Sequence, residues 1–244
     1  MKKLLSLALC TIALAACTLA TSSPAAAAKQ TSTVQIGYFH EIETDGVNVN
    51  VTIGEPSTTA TITLPEGSQQ YFTVKVFNGK LKIEPNPGNR NRKRKELATV
   101  TVATSTLSDI EASLAAAVTV NGNLSLQGDL DLEATTAATI TLDGVTTYGK
   151  CDISAETASL VKIASLNAAE IDAEADTSAD IKINGGTVNR ADYEASTSAT
   201  IDCSRLKASV GKAEASTAAS IRCAIAQMLR QEASTGASIT NKPL

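Results

Sequence analysis

The chain has 244 residues, a net charge of −4 and 43% hydrophobic residues, yet no tryptophan and only seven aromatics, four Tyr and three Phe. Five of the seven (Tyr38, Phe39, Tyr71, Phe72, Phe77) fall in the first third, so everything after Leu97 must bury small and β-branched side chains. Those residues suit strands packed in thin layers and exclude a bulky globular core there, while the mild acidity excludes a general pull toward nucleic acid.

The chain begins with a targeting segment. Met1-Lys2-Lys3 is a positive n-region, and Leu4 to Ala20 is apolar and uncharged. Two exits compete. Leu14-Ala15-Ala16-Cys17 reads as a lipobox with Cys17 as the lipidated residue, whereas Pro24 followed by Ala26-Ala27-Ala28 reads as a cleavage site before Lys29. Residues 1–28 are therefore a signal peptide, and the protein is expected to be exported to the periplasm, outer membrane or cell surface. Membrane association follows only if Cys17 is lipidated. Removing the two lysines takes the mature chain to about −6, from −4 minus +2.

Residues 34–100 alternate with a period of two, the signature of half-buried strands. Val47, Val49, Val51 and Ile53 form one strand, Ile62 and Leu64 mark another, and Val74, Val76, Leu81 and Ile83 flank Asn78-Gly79. Asn-Gly between alternating runs predicts a tight hairpin. Pro65, Pro85 and Pro87, with Gly67 and Gly88, mark loops. A basic run, Arg90, Arg92, Lys93, Arg94 and Lys95, comes after Pro87-Gly88 and is the best candidate ligand-binding segment; it suits an anionic glycan or another surface protein. Without interleaved aromatics it does not read as a nucleic-acid site. The region as a whole is expected to cap the first coil of the C-terminal repeats.

From residue 107 to 242 one phrase recurs. Glu194-Ala195-Ser196-Thr197-Ser198-Ala199-Thr200-Ile201 is a representative copy, and copies start at residues 111, 133, 154, 174, 194, 214 and 232. The intervals are 22, 21, 20, 20, 20 and 18 residues. A coil of about twenty residues cannot bury its apolar side alone, and stacking makes the core continuous. The expected fold is all-β, a parallel β-solenoid of about seven coils. Columns of like residues result: Ala134, Ala155, Ala175, Ala195, Ala215 and Ala233 in one, and Val118, Ile140, Val161, Ile181, Ile201, Ile221 and Ile239 in another. The Ser-Thr-x-Ala stretch reads either as flat strand with Ala195, Thr197 and Ala199 inward, or as a tight corner needing small residues. Gly236 in the last copy favours the corner.

The ordered set comprises an exported leader, Tyr38-Phe39-His40-Glu41-Ile42 before a V-x-V-x-V strand, Asn78-Gly79-Lys80-Leu81-Lys82-Ile83, and Ser/Thr-x-Ala-Ser repeats to the end. It resembles the head GIN domain family of auto-transporter adhesins over about Val34 to Lys242. The resemblance implies a superhelix of sheets joined at Gly-Ser-Gly-like turns, similar to pectin-lyase-type β-helices without catalytic residues, and a role in adhesion. On this basis residues 34–242 are one domain, with a cap at 34–100 and the solenoid at 107–242.

No catalytic set, cofactor site or metal site is legible. His40 is the only histidine and reads as a strand-edge or loop residue, with no G-x-S-x-G nucleophile to serve. Asp172, Glu174, Asp176 and Asp180 share one parity and are expected to crowd one face of a coil, which offers an alternative as a polysaccharide-active enzyme using paired carboxylates. Lys162 and Lys182 would neutralise that cluster, and only Tyr148 and Tyr193 are available as sugar platforms. The Glu133, Glu174, Glu194, Glu214, Glu232 column could hold a ladder of divalent cations; solvated glutamates near Lys212 and Arg230 are preferred. Cys203 and Cys223 fall in adjacent coils and are expected to be free, buried thiols. An ice-binding solenoid would need a regular Thr-x-Thr ladder, and the outward positions read as mixed. The reading is a non-catalytic envelope protein that binds surfaces, with homo-oligomerisation left open.

Overall fold

The computed structural model describes residues 29–65, 69–86 and 98–243, and contains no helix among them. Each coil repeats one plan. In β12 (Lys150–Ala155) alternate residues point inward; a tight turn leads into β13 (Leu160–Ile163); a bend leads into β14 (Leu166–Ala175), whose first residues close the coil and whose later ones open the next. Stacking in parallel register gives three ribbons. The first holds β8 (Asp109–Ser113), β10 (Leu130–Ala134), β12 and the later parts of β14 and of β16 (Gly186–Ala195). The second holds the opening halves of β9 (Ala117–Leu126) and β11 (Thr139–Thr147), then β13 and β15 (Asp180–Ile183). The long strands β17 (Thr200–Ala215) and β18 (Ser220–Ala233) run through all three, and β19 (Ser238–Asn241) ends the second ribbon.

The corner reading holds. Seven pairs of successive residues take positive φ, from Leu114–Ala115 through Thr197–Ser198 (50° and 66°) to Thr235–Gly236. The Ala199 N–H donates to the Ser196 carbonyl at 3.0 Å and closes a type I′ turn. Left-handed backbone costs an L-residue about 1–2 kcal/mol, and β-branched threonine is a poor choice for it. The turns are held by each other: Ser178 N–H donates to the Thr197 carbonyl (3.0 Å), Ser198 to Thr217 (2.9 Å) and Ala218 to Thr235 (3.0 Å). Thr197 is consequently exposed, which corrects the flat-strand reading that places it inward, while Ala195, Ala199 and Ile201 are buried. Parity survives because the excursion spans three residues, Ser196 to Ser198. Both residue columns expected from the repeat are present in register.

The N-terminal third extends the same core. β2 (Glu41–Asp45) and β3 (Asn48–Ile53) form one layer, and β6 (Lys80–Pro85) and β7 (Thr99–Thr104) another. β2 pairs in parallel with both β6 and β8, and β3 with both β7 and β9. The layer that comes first in the chain is thus second in the stack. Beyond it, β4 (Thr59–Leu64) lies antiparallel on β7, β1 (Gln30–Gln35) antiparallel on β4, and β5 (Phe72–Phe77) antiparallel on β6. The expected Asn78–Gly79 hairpin joins β5 to β6, with φ of 50° and 81°. Tyr71 and Phe72 pack edge to face at 5.1 Å and supply the aromatic mass at this end. A single hydrophobic core runs from Phe39 to Ile225.

Candidate functional surfaces

The basic run Arg90, Arg92, Lys93, Arg94 and Lys95 lies outside the described residues, as does Cys17. The described residues on either side of that stretch both bond Tyr71: Asn86 N–H donates to its carbonyl (2.7 Å), and Ala98 N–H donates to its hydroxyl (3.3 Å). His40 sits at the Asn78–Gly79 hairpin, half-exposed, with Nε2 3.6 Å from Glu41 Oε1. Its ring occupies the space that a Cβ on Gly79 would need, so it braces that hairpin.

The first ribbon carries two acidic columns on its outer face. One runs Glu41, Asp109, Asp131, Asp152, Asp172, Asp192. The other runs Glu43, Glu111, Glu133, Ser154, Glu174, Glu194 and continues to Glu214 and Glu232. Cations bridge them in places. Lys80 Nζ lies 2.6 Å from Glu111 and 3.2 Å from Asp109; Lys150 lies 2.8 Å from Asp152 and 3.1 Å from Asp172; Arg230 lies 2.7 Å from Glu232 and 3.0 Å from Glu214. Lys212 approaches Asp192 at 3.8 Å instead of a glutamate. Hydrogen bonding to Glu111 holds the Lys80 ammonium well above its ordinary range, and hydrogen bonding to Asp152 does the same for Lys150. Between the bridges the stacking tells. Burial, then Asp152 and Asp129, push the Asp131 carboxyl up; burial, then Asp172 and Glu194, push up Glu174. No group of three His, Cys, Asp or Glu side chains converges as metal ligands among the described residues.

The expected cluster of Asp172, Glu174, Asp176 and Asp180 does not form on one face. The Thr177–Ser178 turn separates them: Asp172 and Glu174 belong to the first ribbon, Asp180 to the second. Asp176 caps the turn, accepting hydrogen bonds from Ser196 Oγ (2.6 Å) and Thr177 N–H (2.6 Å), and the Ser196 bond is the main cause of its lowered pKa.

The outer face of the second ribbon is divided. Six strands in the spatial order β1, β4, β7, β3, β9, β11 present two columns: Thr31, Thr63, Thr99, Asn48, Ala117, Thr139 and, beside it, Thr33, Thr61, Thr101, Asn50, Thr119, Thr141. None of these twelve positions is charged. The same two columns then continue through Leu160, Lys162, Asp180, Lys182, Thr200, Asp202, Ser220 and Arg222, where charge is frequent. The expected lack of a regular Thr-x-Thr ladder concerns the outward positions of the solenoid, and two largely threonine columns stand elsewhere on this ribbon. The repeats indeed lack one; the ladder is assembled from the N-terminal strands and the first two layers of the rod, whose chain order differs from their spatial order. No signal in the sequence gives that order, although T-x-T spacing is plain in β1, β4, β7 and β11.

Inside the rod, Cys151, Cys203 and Cys223 are buried free thiols, and Cys203 and Cys223 are register partners as expected. Burial pushes the Cys203 thiol up to about 12 and the Cys223 thiol up to about 11. Tyr193 is buried against Cys203, its hydroxyl without a well-formed hydrogen bond, between Ala173 and Ala213 of the adjoining coils.

The model of the family described as "Putative auto-transporter adhesin, head GIN domain" matches residues 38–243. The chain belongs to this family. No curated protein matches the sequence. Among solved structures, a protein titled "Putative lipid binding protein" from Parabacteroides distasonis is similar with a TM-score of 0.75 at 16% identity, covering 88% of this chain and 96% of the other. A structure titled "putative adhesin" from Bacteroides fragilis has a TM-score of 0.73 at 17% identity, covering 89% and 97%. A further one with that title, from Parabacteroides merdae, has a TM-score of 0.65 at 18% identity, covering 88% and 96%. At these identities the likeness establishes the fold. This head GIN domain keeps a turn at the corner where the Gly-Ser-Gly-like sequence is expected, but builds it from Thr followed by Ala, Ser or Gly in six of its seven copies.

Proposed function

We propose that this head GIN domain is a non-catalytic protein of the cell envelope that binds surfaces. The observation that carries this reading is the family match over residues 38–243. The distribution of side chains supports it. The carboxylates that would serve a polysaccharide-active enzyme are spread along two columns, partly bridged by lysine and arginine, and their best cluster is divided by a turn. Paired carboxylates in glycosidases instead face each other about 5–10 Å apart across a bound sugar. What the fold offers is area: long ribbon faces with regular chemistry, of a kind that meets another extended surface.

Export through the leader, with processing at Cys17 or after Ala28, sets where that surface is displayed; the basic run at residues 90–95 would add an anionic partner. The test is adhesion by cells that carry or lack the protein, combined with labelling of intact cells by a membrane-impermeant amine reagent. The expected result is labelling on intact cells and reduced adhesion on deletion. Depolymerisation of an acidic glycan that is abolished by Asp172→Ala or Asp180→Ala would overturn the reading.

A further inference from the structure

We infer that the uncharged threonine face of the second ribbon is an ice-binding surface: a site that takes an ordered water lattice as its ligand. The inference deepens the surface-binding reading and rests on it for the idea that an extended face is used, but its own evidence is local. Nine threonines stand in two columns on five of six hydrogen-bonded strands, and the sixth, β3, contributes Asn48 and Asn50. Among the described residues, no side-chain hydrogen bond engages any of the nine hydroxyls. The face therefore offers hydroxyls and methyls to an outside partner without breaking internal contacts.

Geometry selects the partner. Strands lie about 4.8 Å apart and alternate residues about 6.7 Å apart along a strand, so the face is a two-dimensional grid about 24 Å long across its six strands. Both repeats are close to oxygen spacings in hexagonal ice. Threonine is stiff at χ1, which presets where each hydroxyl and methyl sits and lowers the ordering cost of binding a rigid lattice. A charged group would orient its own hydration shell against that lattice, and charge is absent from all twelve positions while it returns at Lys162, Asp180, Lys182, Asp202 and Arg222 on the same ribbon. Outer-face threonine is common on any strand. What singles out this region is the coincidence of grid, neutrality and free hydroxyls on strands drawn from three separate stretches of chain. A glycan is the other extended, hydroxylated ligand, but sugar recognition favours aromatic platforms, and the grid holds none.

The test is partition into ice grown slowly from a dilute solution of the exported protein, beside an inert protein of similar size. Enrichment several-fold above the inert protein is expected. Thr101→Tyr and Thr119→Tyr, at the centre of the grid, should each fall to the inert level, and Lys182→Ala on the charged stretch should not change. Thr141→Lys, where the grid borders the charged stretch at Lys162, serves if either tyrosine variant loses its native circular dichroism. Exclusion of the native protein from ice overturns the inference, as does equal enrichment of folded grid variants, or binding to a neutral polysaccharide film without ice enrichment. Failure here is distinguishable from failure of the adhesion reading, because intact-cell labelling and adhesion are measured on liquid-phase cells without ice.

Discussion

The two ends of this molecule solve the same problem by different means. From residue 109 onward the chain stacks coil on coil in sequence order, uses small residues, and turns the same corner seven times with a left-handed residue pair. The N-terminal third uses the same ribbons but inserts β2 and β3 between later layers, closes the end with antiparallel strands, and concentrates Phe39, Tyr71 and Phe72 where the rod's core would otherwise meet water. The difference teaches what periodicity can do. Repetition fixes register locally, since each coil needs only its neighbours, whereas an end must be built by long-range packing.

Substitutions can break or sharpen that contrast. The largest effect is expected from Gly186→Ala in the rod. Gly186 has φ of 115°, and a Cβ there would fall 1.8 Å from the Leu166 carbonyl oxygen of the coil below. Backbone must move, so thermal unfolding should show a loss on the order of 4 kcal/mol, while Gly54→Ala, in open space, should be close to neutral. Next come truncations at two places in the shared core. Phe72→Ala should cost about 3–5 kcal/mol and Ile181→Ala about 2–5 kcal/mol in denaturant titrations. If the rod behaves as coupled neighbours, hydrogen exchange after Ile181→Ala should quicken mainly in adjoining coils, and after Phe72→Ala mainly in the first layers.

A gain is expected at the corners. Replacing Thr197-Ser198 by Asn-Gly relieves left-handed strain and should stabilise the rod by about 1 kcal/mol, visible as a raised Tm. The same Asn-Gly pair already stands at residues 78–79 in the cap. The smallest effect concerns the acidic columns. The Glu174 carboxyl is raised in the folded state, first by burial and then by Asp172 and Glu194, so the native chain holds a proton more tightly than the unfolded one. Stability should therefore fall as pH rises from the unfolded to the folded pKa of this group and stay lower above it. Glu174→Gln should be slightly stabilising at neutral pH and lose that advantage as pH drops through the carboxylate range.

Much of the rod was legible because its columns are written in the sequence: the alanine and isoleucine ladders, the free Cys203 and Cys223, and the corner marked by Gly236 all correspond to the structure. Thr197 was ambiguous because a type I′ turn of three outward residues preserves parity, so alternation alone cannot separate it from flat strand. The split of Asp172 from Asp180 has the same cause. The threonine grid was not legible for a different reason. Its T-x-T units occur in plain sight at residues 31–33, 61–63, 99–101 and 139–141, but their adjacency depends on β3 lying between β7 and β9, and nothing local in the chain encodes that order.

That order underlies the continuous grid, and paired cysteines test it directly. Asn50 is the register partner of both Thr101 and Thr119, while Thr101 and Thr119 are two strand spacings, about 10 Å, apart, beyond disulfide reach of about 7 Å. Under mild oxidation, Asn50→Cys with Thr119→Cys should cross-link, and Thr101→Cys with Thr119→Cys should not, as read by mass spectrometry of the folded protein. Cross-linking of the second pair without the first would mean that the layers stack in chain order, and would contradict this account.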